Sequence, residues 1–518
     1  MSIAGRSSRL PAGEPVPVPA RPFPAQGGSM AAEGDRTPFA DVDAYIEEQM
    51  ARLQMPGVAL AIVEGDQIVH LRGFGRARPG GDAPCAQTPF ALGSLTKSFT
   101  ALAVMQLVEQ GKIELDAPVQ RYLTWFRVAE PHASAQMTVR HLLNQTSGLP
   151  QLPGLLALAD FDESPGATER QARALSTVKI TRPVGSAFEY SNLNYNLLGL
   201  IVEAAGGVPY ADWVREQIFA PLGMKHSFTT HAEAKQNGLA VGHQYWFAVP
   251  VAAPNLPMPS GSLPSGQLIS SAEDMAHYLS AFLNGGRCGD AQVLSSDGMA
   301  ELLRGVAEYR TMGIEVGKYA MGWFVTETGQ TTTIWHSGTL PDFSSYMALL
   351  PAQKRGVILL FNADHHMMMP VLVGVGIGVT DLLAGRPPAP NRFGFMPWVM
   401  RAPLLIPFLQ LLGVVLTLRH LRRWRHDPQQ RPGRGRSWGL HLLLPLFPNL
   451  ALATLPVYLR VSGFYRYMRL FMPDFLWVAL LCGGFAGLWS LLRTGLILRS
   501  LQTSALPISV HGKHPARR

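Results

Sequence analysis

The chain has 518 residues, of which 47% are hydrophobic and 15% charged, a balance that is apolar for a soluble enzyme and points to a membrane part. Its formal net charge of +8 hides a division: residues 391–518 hold sixteen Arg and one Lys against Asp427 and Asp474, a net +15, which leaves −7 for the first 390. This basic excess lies between apolar runs rather than on one folded face, so nucleic acid is excluded as an expected partner.

Residues 1–38, which include PAGEPVPVPARPFPAQGG, read as a flexible extension rich in Pro, Gly, Ala and Ser. They contain no apolar run of the length a secretory signal requires. A folded domain is expected over 39–385. It opens on TPFADVDAYIEEQMARLQMPG, whose amphipathic pattern predicts a helix ending at Gly57. VALAIVEGDQIVHLRGFGRA predicts two strands joined by a turn at Gly65-Asp66. The apolar segment SFTALAVMQLVEQG predicts a buried helix capped by Gly111. Residues 137–300 read mostly as helix and loop. TTTIWHSG, FSSYMALLP and RGVILLFNA predict three strands, with a turn at Gln353-Lys354. Strands at both ends with helices between them make an α+β pattern in which the two ends share one sheet. The pair His365-His366 reads as a cap on the last strand, because no ligand partners stand at metal-binding spacing. Cys85, Cys288 and Cys482 are odd in number and far apart, and suggest neither a disulfide framework nor a metal site.

After an expected linker over 386–401, three apolar runs follow within 402–495, at 402–418, 437–459 and 475–492. Each approaches the roughly 20 residues that cross a bilayer. Pro403, Pro407, Pro445 and Pro448 would be costly in soluble helices and are tolerated in membrane ones. A basic tail over 496–518 ends the chain. Residues 419–436 carry seven Arg against one Asp, whereas 460–474 carry three Arg and one Asp. The positive-inside rule therefore places the first loop and the C-terminus in the cytoplasm, and the N-terminal domain outside the cytoplasmic membrane. The missing secretory signal stands against that orientation.

Three short patterns carry candidate chemistry: GSLTK at 93–97, YSN at 190–192 and HSG at 336–338. A serine is a weak nucleophile until a neighbouring base takes its proton. Ser94 and Lys97 are three apart, so they share one face of a helix, and the helix N-terminus favours developing negative charge. A lysine serves as base only when neutral, which requires burial or nearby positive charge. A second Ser-x-x-Lys, Ser176 to Lys179, has β-branched neighbours and a following proline, and reads as a surface segment. There is no Gly-x-Ser-x-Gly elbow, no His-Glu-x-x-His and no phosphate-binding glycine loop.

The order Ser-x-x-Lys helix, Tyr-x-Asn loop, His-x-Gly strand resembles the serine β-lactamases and penicillin-binding-protein-type hydrolases. TVRHLLNQTSGLP, EYSNLNYNLLGLIVEAAGG, IFAPLGMKHS, SSAEDMAHYLSAFLNGG and YAMGWFV extend the likeness over about residues 40–385. The resemblance implies a β-lactamase/transpeptidase-like fold and a cofactor-free acyl-enzyme. It further implies that Ser94 is the nucleophile, Lys97 its proton acceptor and Tyr190 the group that passes a proton to the leaving group. Asn192 orients Lys97 or the substrate amide, and His336, Ser337 and Gly338 flank the pocket. The backbone N–H groups of Ser94 and Thr339 form the oxyanion hole.

Departures from the family pattern bear on the substrate. His336 stands where many relatives have Lys, which implies weaker or pH-dependent recognition of a carboxylate. Nothing matches the glutamate that speeds deacylation in one β-lactamase class. Asp342 replaces a frequent Gly, and reads either as a contact for a polar or cationic substrate group or as a solvated turn residue. A catalytic domain followed by three membrane helices is similar to the prodrug-activating D-amino peptidases, such as the colibactin-maturing peptidase, which remove an N-acyl-D-asparagine cap. Ala91 and Ile269 replace a glutamate and a pocket histidine of that enzyme. The expected function is a membrane-embedded serine hydrolase acting on a small-molecule or peptide amide or ester. Acyl-D-amino-acid amides, D-Ala-D-Ala-like stems and small esters are the candidate substrates. A penicillin-recognising sensor with negligible turnover is the alternative of another class.

Overall fold

The computed structural model describes residues 38–502 apart from 161, 163, 258–259, 312–313, 431–438 and 440–442. The extension expected over 1–38, the start of the second apolar run at 437 and most of the basic tail lie outside the described residues.

Helix α1 (Ala40–Leu53) is followed by β1 (Gly57–Glu64) and β2 (Gln67–Gly75). The helix stops four residues before Gly57, with Gln54 in the left-handed region at φ 54°. Gly57 instead opens β1, where a Cβ would lie 2.2 Å from the Arg76 carbonyl oxygen. The short strand β3 (Phe90–Ala91) leads into a 3₁₀ turn at Gly93–Leu95 and then α2 (Thr96–Glu109). The middle of the domain contributes α3 (Gln151–Ala157), α4 (Asn192–Gly206), β4 (His243–Trp246), β5 (Ile269–Ser270) and α5 (Ala272–Leu283). Strands β6 (Ala307–Thr311), β7 (Ile314–Tyr319) and β8 (Phe324–Thr328) come next, where no strands were expected despite the alternation in AEYRT and IEV. The expected trio then follows as β9 (Thr331–Thr339), β10 (Ser344–Leu350) and β11 (Arg355–Phe361). β12 (Ala363–Asp364) and α6 (Met369–Leu383) end the domain.

Eight strands form one antiparallel sheet in the order β2-β1-β11-β10-β9-β8-β7-β6, so the two chain ends meet where β1 pairs with β11. Every β1 residue but the last is buried. Side chains on a strand alternate between faces. Ala59, Ala61 and Val63 accordingly join the larger core with α2 and α4, while Val58, Leu60 and Ile62 join a second core under α1 and α6. Helix α2 is buried all round from Thr96 to Leu107, as expected of a helix that is apolar on every face.

Three helices beyond the domain are long and apolar enough to cross a membrane. They are α7 (Leu405–His426), extended at its start by a short helix from Met396, α8 (Leu444–Val461) and α10 (Pro473–Gln502). The last six residues of the expected linker are thus helical. Only 6% of the apolar window in each of the first two spans is buried, so they are not core helices. Between α8 and α10 lies a helix no sequence pattern was assigned to, α9 (Phe464–Phe471). Its stripe Phe464, Tyr467, Met468 and Phe471 follows helical spacing.

Helix α6 lies close on the sheet because Gly376 faces the Tyr346 ring. Alanine at 376 gains about 1 kcal/mol of helix propensity. Its Cβ, however, would sit 2.2 Å from the ring's fixed root at Cγ, and overpacking of this kind costs about 1–3 kcal/mol. Gly376→Ala should therefore lower the Tm of the full-length protein in detergent. An unchanged Tm would mean that α6 does not press on the sheet.

Candidate active site

Ser94 is the one residue between Thr88 and Leu107 that is not buried. It sits on the 3₁₀ turn, and two glycines let that turn lie against strand β9. At Gly93, with φ 55°, a Cβ would stand 2.6 Å from the Thr339 backbone nitrogen. At Gly338 a Cβ would stand 2.0 Å from the Leu92 carbonyl oxygen. No side chain fits in either place. The Ser345 hydroxyl adds a bond to the same Leu92 carbonyl at 2.6 Å. The Ser94 turn and the end of β9, which carries the Thr339 N–H, are thereby locked side by side.

One turn into α2, Lys97 is fully buried. Its Nζ donates to Asn192 Oδ1 at 2.8 Å and to the Ser265 carbonyl at 2.6 Å, and lies 3.0 Å from Ser94 Oγ. No carboxylate is among these partners. Burial holds its amine well below the ordinary lysine range. A neutral amine has two N–H bonds and one lone pair. With Asn192 and Ser265 taking the two N–H bonds, the lone pair is left for the Ser94 hydroxyl proton. The arrangement is therefore that of a general base poised on a nucleophile.

Tyr190 stands over the lysine, with Nζ 4.9 Å from its ring centre. Its hydroxyl lies near Ser94, and burial, then the neighbouring Tyr319, pushes the phenol pKa well above its usual range. Asn192 opens helix α4, and its Nδ2 donates to the Gly154 carbonyl of α3 at 3.3 Å. Residues 336 and 338 share one face of β9, the face turned toward the nucleophile. His336 Nδ1 donates to the Ser337 carbonyl at 2.7 Å. Burial, and then the nearby Lys97, lower its pKa to about 3. His336 is thus neutral across the physiological range and supplies no cation to a substrate carboxylate.

Asp342 is not the solvated turn residue of the second expectation. It is neither solvated nor at an open strand edge: its carboxyl is buried against Gly242, and burial raises its pKa to about 7. Ser176 and Lys179, the second Ser-x-x-Lys, are exposed, and Ser176 lies on a separate 3₁₀ turn. Ala91 and Ile269 prove to be direct cross-strand partners of β3 and β5, both buried in the core. Sequence reasoning did not find the Ser265 carbonyl. A main-chain ligand leaves no residue-type signal, and Ser265 lies in PSGQ, outside every quoted motif.

A Beta-lactamase family model matches residues 42–372, and the chain belongs to that family. Protein flp of Staphylococcus aureus (strain MW2) is 27% identical over 338 residues, which cover 62% of this chain and 63% of the staphylococcal one. The chain thus spans under two thirds of that relative's length. The octameric penicillin-binding protein homologue from Pyrococcus abyssi superposes with a TM-score of 0.59 at 26% identity, covering 68% of this chain and 79% of the other. The D-amino acid amidase from Ochrobactrum anthropi SV3 superposes with a TM-score of 0.53 at 26% identity, covering 62% and 90%.

The neutral state of His336 has a thermodynamic consequence. Its folded pKa, about 3, is depressed from an unfolded value near 6.5. Below about pH 6.5 the unfolded chain takes up a proton that the native state refuses, so this residue makes stability fall as pH drops from about 6.5 toward 3. Above that window it has no effect. His336→Gln should flatten the acid limb of a Tm-versus-pH curve in this window alone, and parallel curves for the two proteins would refute the assignment.

Proposed function

We propose that this chain is a membrane-anchored serine hydrolase that cleaves an amide or ester through an acyl-enzyme on Ser94. The single observation that carries the reading is the fully buried Lys97 amine, bonded to Asn192 Oδ1 and the Ser265 carbonyl and 3.0 Å from Ser94 Oγ. In the proposed acylation, Lys97 Nζ takes the hydroxyl proton as Oγ attacks the carbonyl carbon. The N–H groups of Ser94 and Thr339 receive the oxyanion, each such donor being worth about 3–4 kcal/mol. Tyr190 gives its proton to the departing nitrogen or oxygen and regains one from Lys97. Water then attacks the acyl-enzyme by the reverse route.

Neutral His336 favours substrates without a free carboxylate next to the scissile bond, which counts against D-Ala-D-Ala carboxypeptidase action. The likeness to a D-amino acid amidase supports an amide of D configuration. The apolar Ala91–Ile269 pair offers no polar group for an asparagine cap, so the acyl part is proposed to be apolar rather than asparaginyl. The catalytic domain packs on α9 and the start of α10, within the loop that carries three Arg, whereas the segment 419–436 carries seven. By the positive-inside rule this supports a catalytic domain outside the cytoplasm.

Ser94→Ala should abolish covalent labelling by a fluorophosphonate probe while Ser176→Ala leaves it intact; labelling that follows Ser176 instead would sink the site. Among substrates compared by mass spectrometry, D-amino-acid amides should be turned over in preference to D-Ala-D-Ala peptides. Protease added to intact cells or spheroplasts should reach the catalytic domain, and full protection would overturn the orientation.

A further inference from the structure

The pair His365-His366 is not part of the proposed chemistry, yet neither ring is idle. His365 Nδ1 accepts from the Met367 N–H at 3.1 Å, which leaves its Nε2–H to donate to Asp474 Oδ1 at 3.0 Å. Both side chains are completely buried. Asp474 belongs to the first turn of the third membrane helix, α10. Its other oxygen accepts from the Phe247 N–H at 2.8 Å. His366 Nδ1 meets the Tyr467 hydroxyl of α9 at 2.8 Å, and the His366 N–H donates to the Phe471 carbonyl at 3.2 Å. Gln244 on β4 donates to the Leu470 carbonyl. A tether needs none of these bonds; a docked part of the fold needs all of them.

Two routes lead from this clasp to the two halves of the site. Tyr467, Leu470 and Phe471 form a buried cluster with Ala159 and with Leu155 and Leu156 of α3. The Gly154 carbonyl of α3 accepts from Asn192, which in turn holds Lys97. On the other side, the His365 N–H donates to the carboxylate of Asp364 at 2.8 Å, and the Thr339 side chain lies near that carboxylate. Thr339 carries one of the two proposed oxyanion donors.

We infer that α9 and Asp474 are positioning elements of the active site, so that the turn between the second and third membrane helices fixes both the Asn192–Lys97 base and the Thr339 end of β9. The inference rests on the proposed role of Ser94 as nucleophile. Neither Asp474 nor α9 touches the reacting atoms; they act through Asn192 and Thr339. Reacting groups displaced by about 1 Å lose on the order of 100-fold in rate, so modest loosening of this support is kinetically visible.

The test uses full-length protein in detergent or nanodiscs, and reads two quantities for Ser94 labelling by a fluorophosphonate. One is the second-order rate, and the other is the fraction labelled at completion. Asp474→Ala should slow labelling by about 10- to 100-fold while the final fraction stays at the wild-type value. Asp474→Asn, which keeps an acceptor for His365, should recover most of the rate. Leu488→Ala, at an exposed position of the same helix, should match wild type. If Asp474→Ala fails to accumulate, Leu470→Ala trims the α9 face against α3 and is read the same way. A rate that is unchanged, or one that falls only in step with the labelled fraction, makes the contact merely structural and overturns the inference. A wild-type chain that is never labelled at Ser94 sinks the hydrolase reading as well, whereas labelled wild type with indifferent variants sinks the positioning role alone.

Discussion

An amine buried without a countercharge sets the terms for everything around it. Carrying a full charge into a protein interior costs far more than releasing a proton, so Lys97 is held neutral by its position on α2. A neutral amine still has two N–H bonds that must be met. Asn192 and the Ser265 carbonyl meet them, and they come from two separate segments that pack on α2. The geometry of the helical half of the domain can be understood as the means of bringing those two oxygens to one nitrogen. What is left over, a single lone pair, points at the one residue of the region that reaches solvent.

The sheet supplies the other half of the site. Its two faces each bury a core, so β9 cannot shift without disturbing both. Against this rigid edge the nucleophile turn is brought to a separation that admits no side chain at Gly93 or Gly338. The same strand presents His336 uncharged, because burial acts on it in the direction that also keeps Lys97 neutral. Burial thus pushes the pKa of both basic side chains near the serine downward, a poor arrangement to face an anion.

Much of this was legible in the sequence. The Ser94, Lys97, Tyr190, Asn192 and His336 set converges as its motifs imply, and strands β1, β2, β9, β10 and β11 lie where alternation and turn residues put them. Residues whose neighbours were distant in the chain were less legible. Asp342 was open to two readings, substrate contact or solvated turn, because nothing local shows that Gly242 closes over it. The first helix ended at Leu53 rather than Gly57, since the pressure that requires a glycine at 57 comes from Arg76. Helix α9 hid in a short loop between longer apolar runs. Its amphipathic stripe is visible once sought, but the surface it covers lies some 310 residues earlier along the chain.

That separation has a bearing on how the molecule is made. Synthesis runs from the N-terminus, and domains generally fold as they emerge. When the sheet closes at β11, residues 464–474 have not yet been added. Leu155, Leu156, Leu158 and Ala159 then have no cover, and Gln244 and His365 have no partners from α9 or α10. Contacts between segments this far apart in sequence are slow to form because a long loop must first be closed. Maturation therefore has a last step, the arrival of the α8–α10 turn on a domain otherwise complete. A chain truncated before it would keep Ser94 and Lys97 and expose an apolar patch in place of the missing helix.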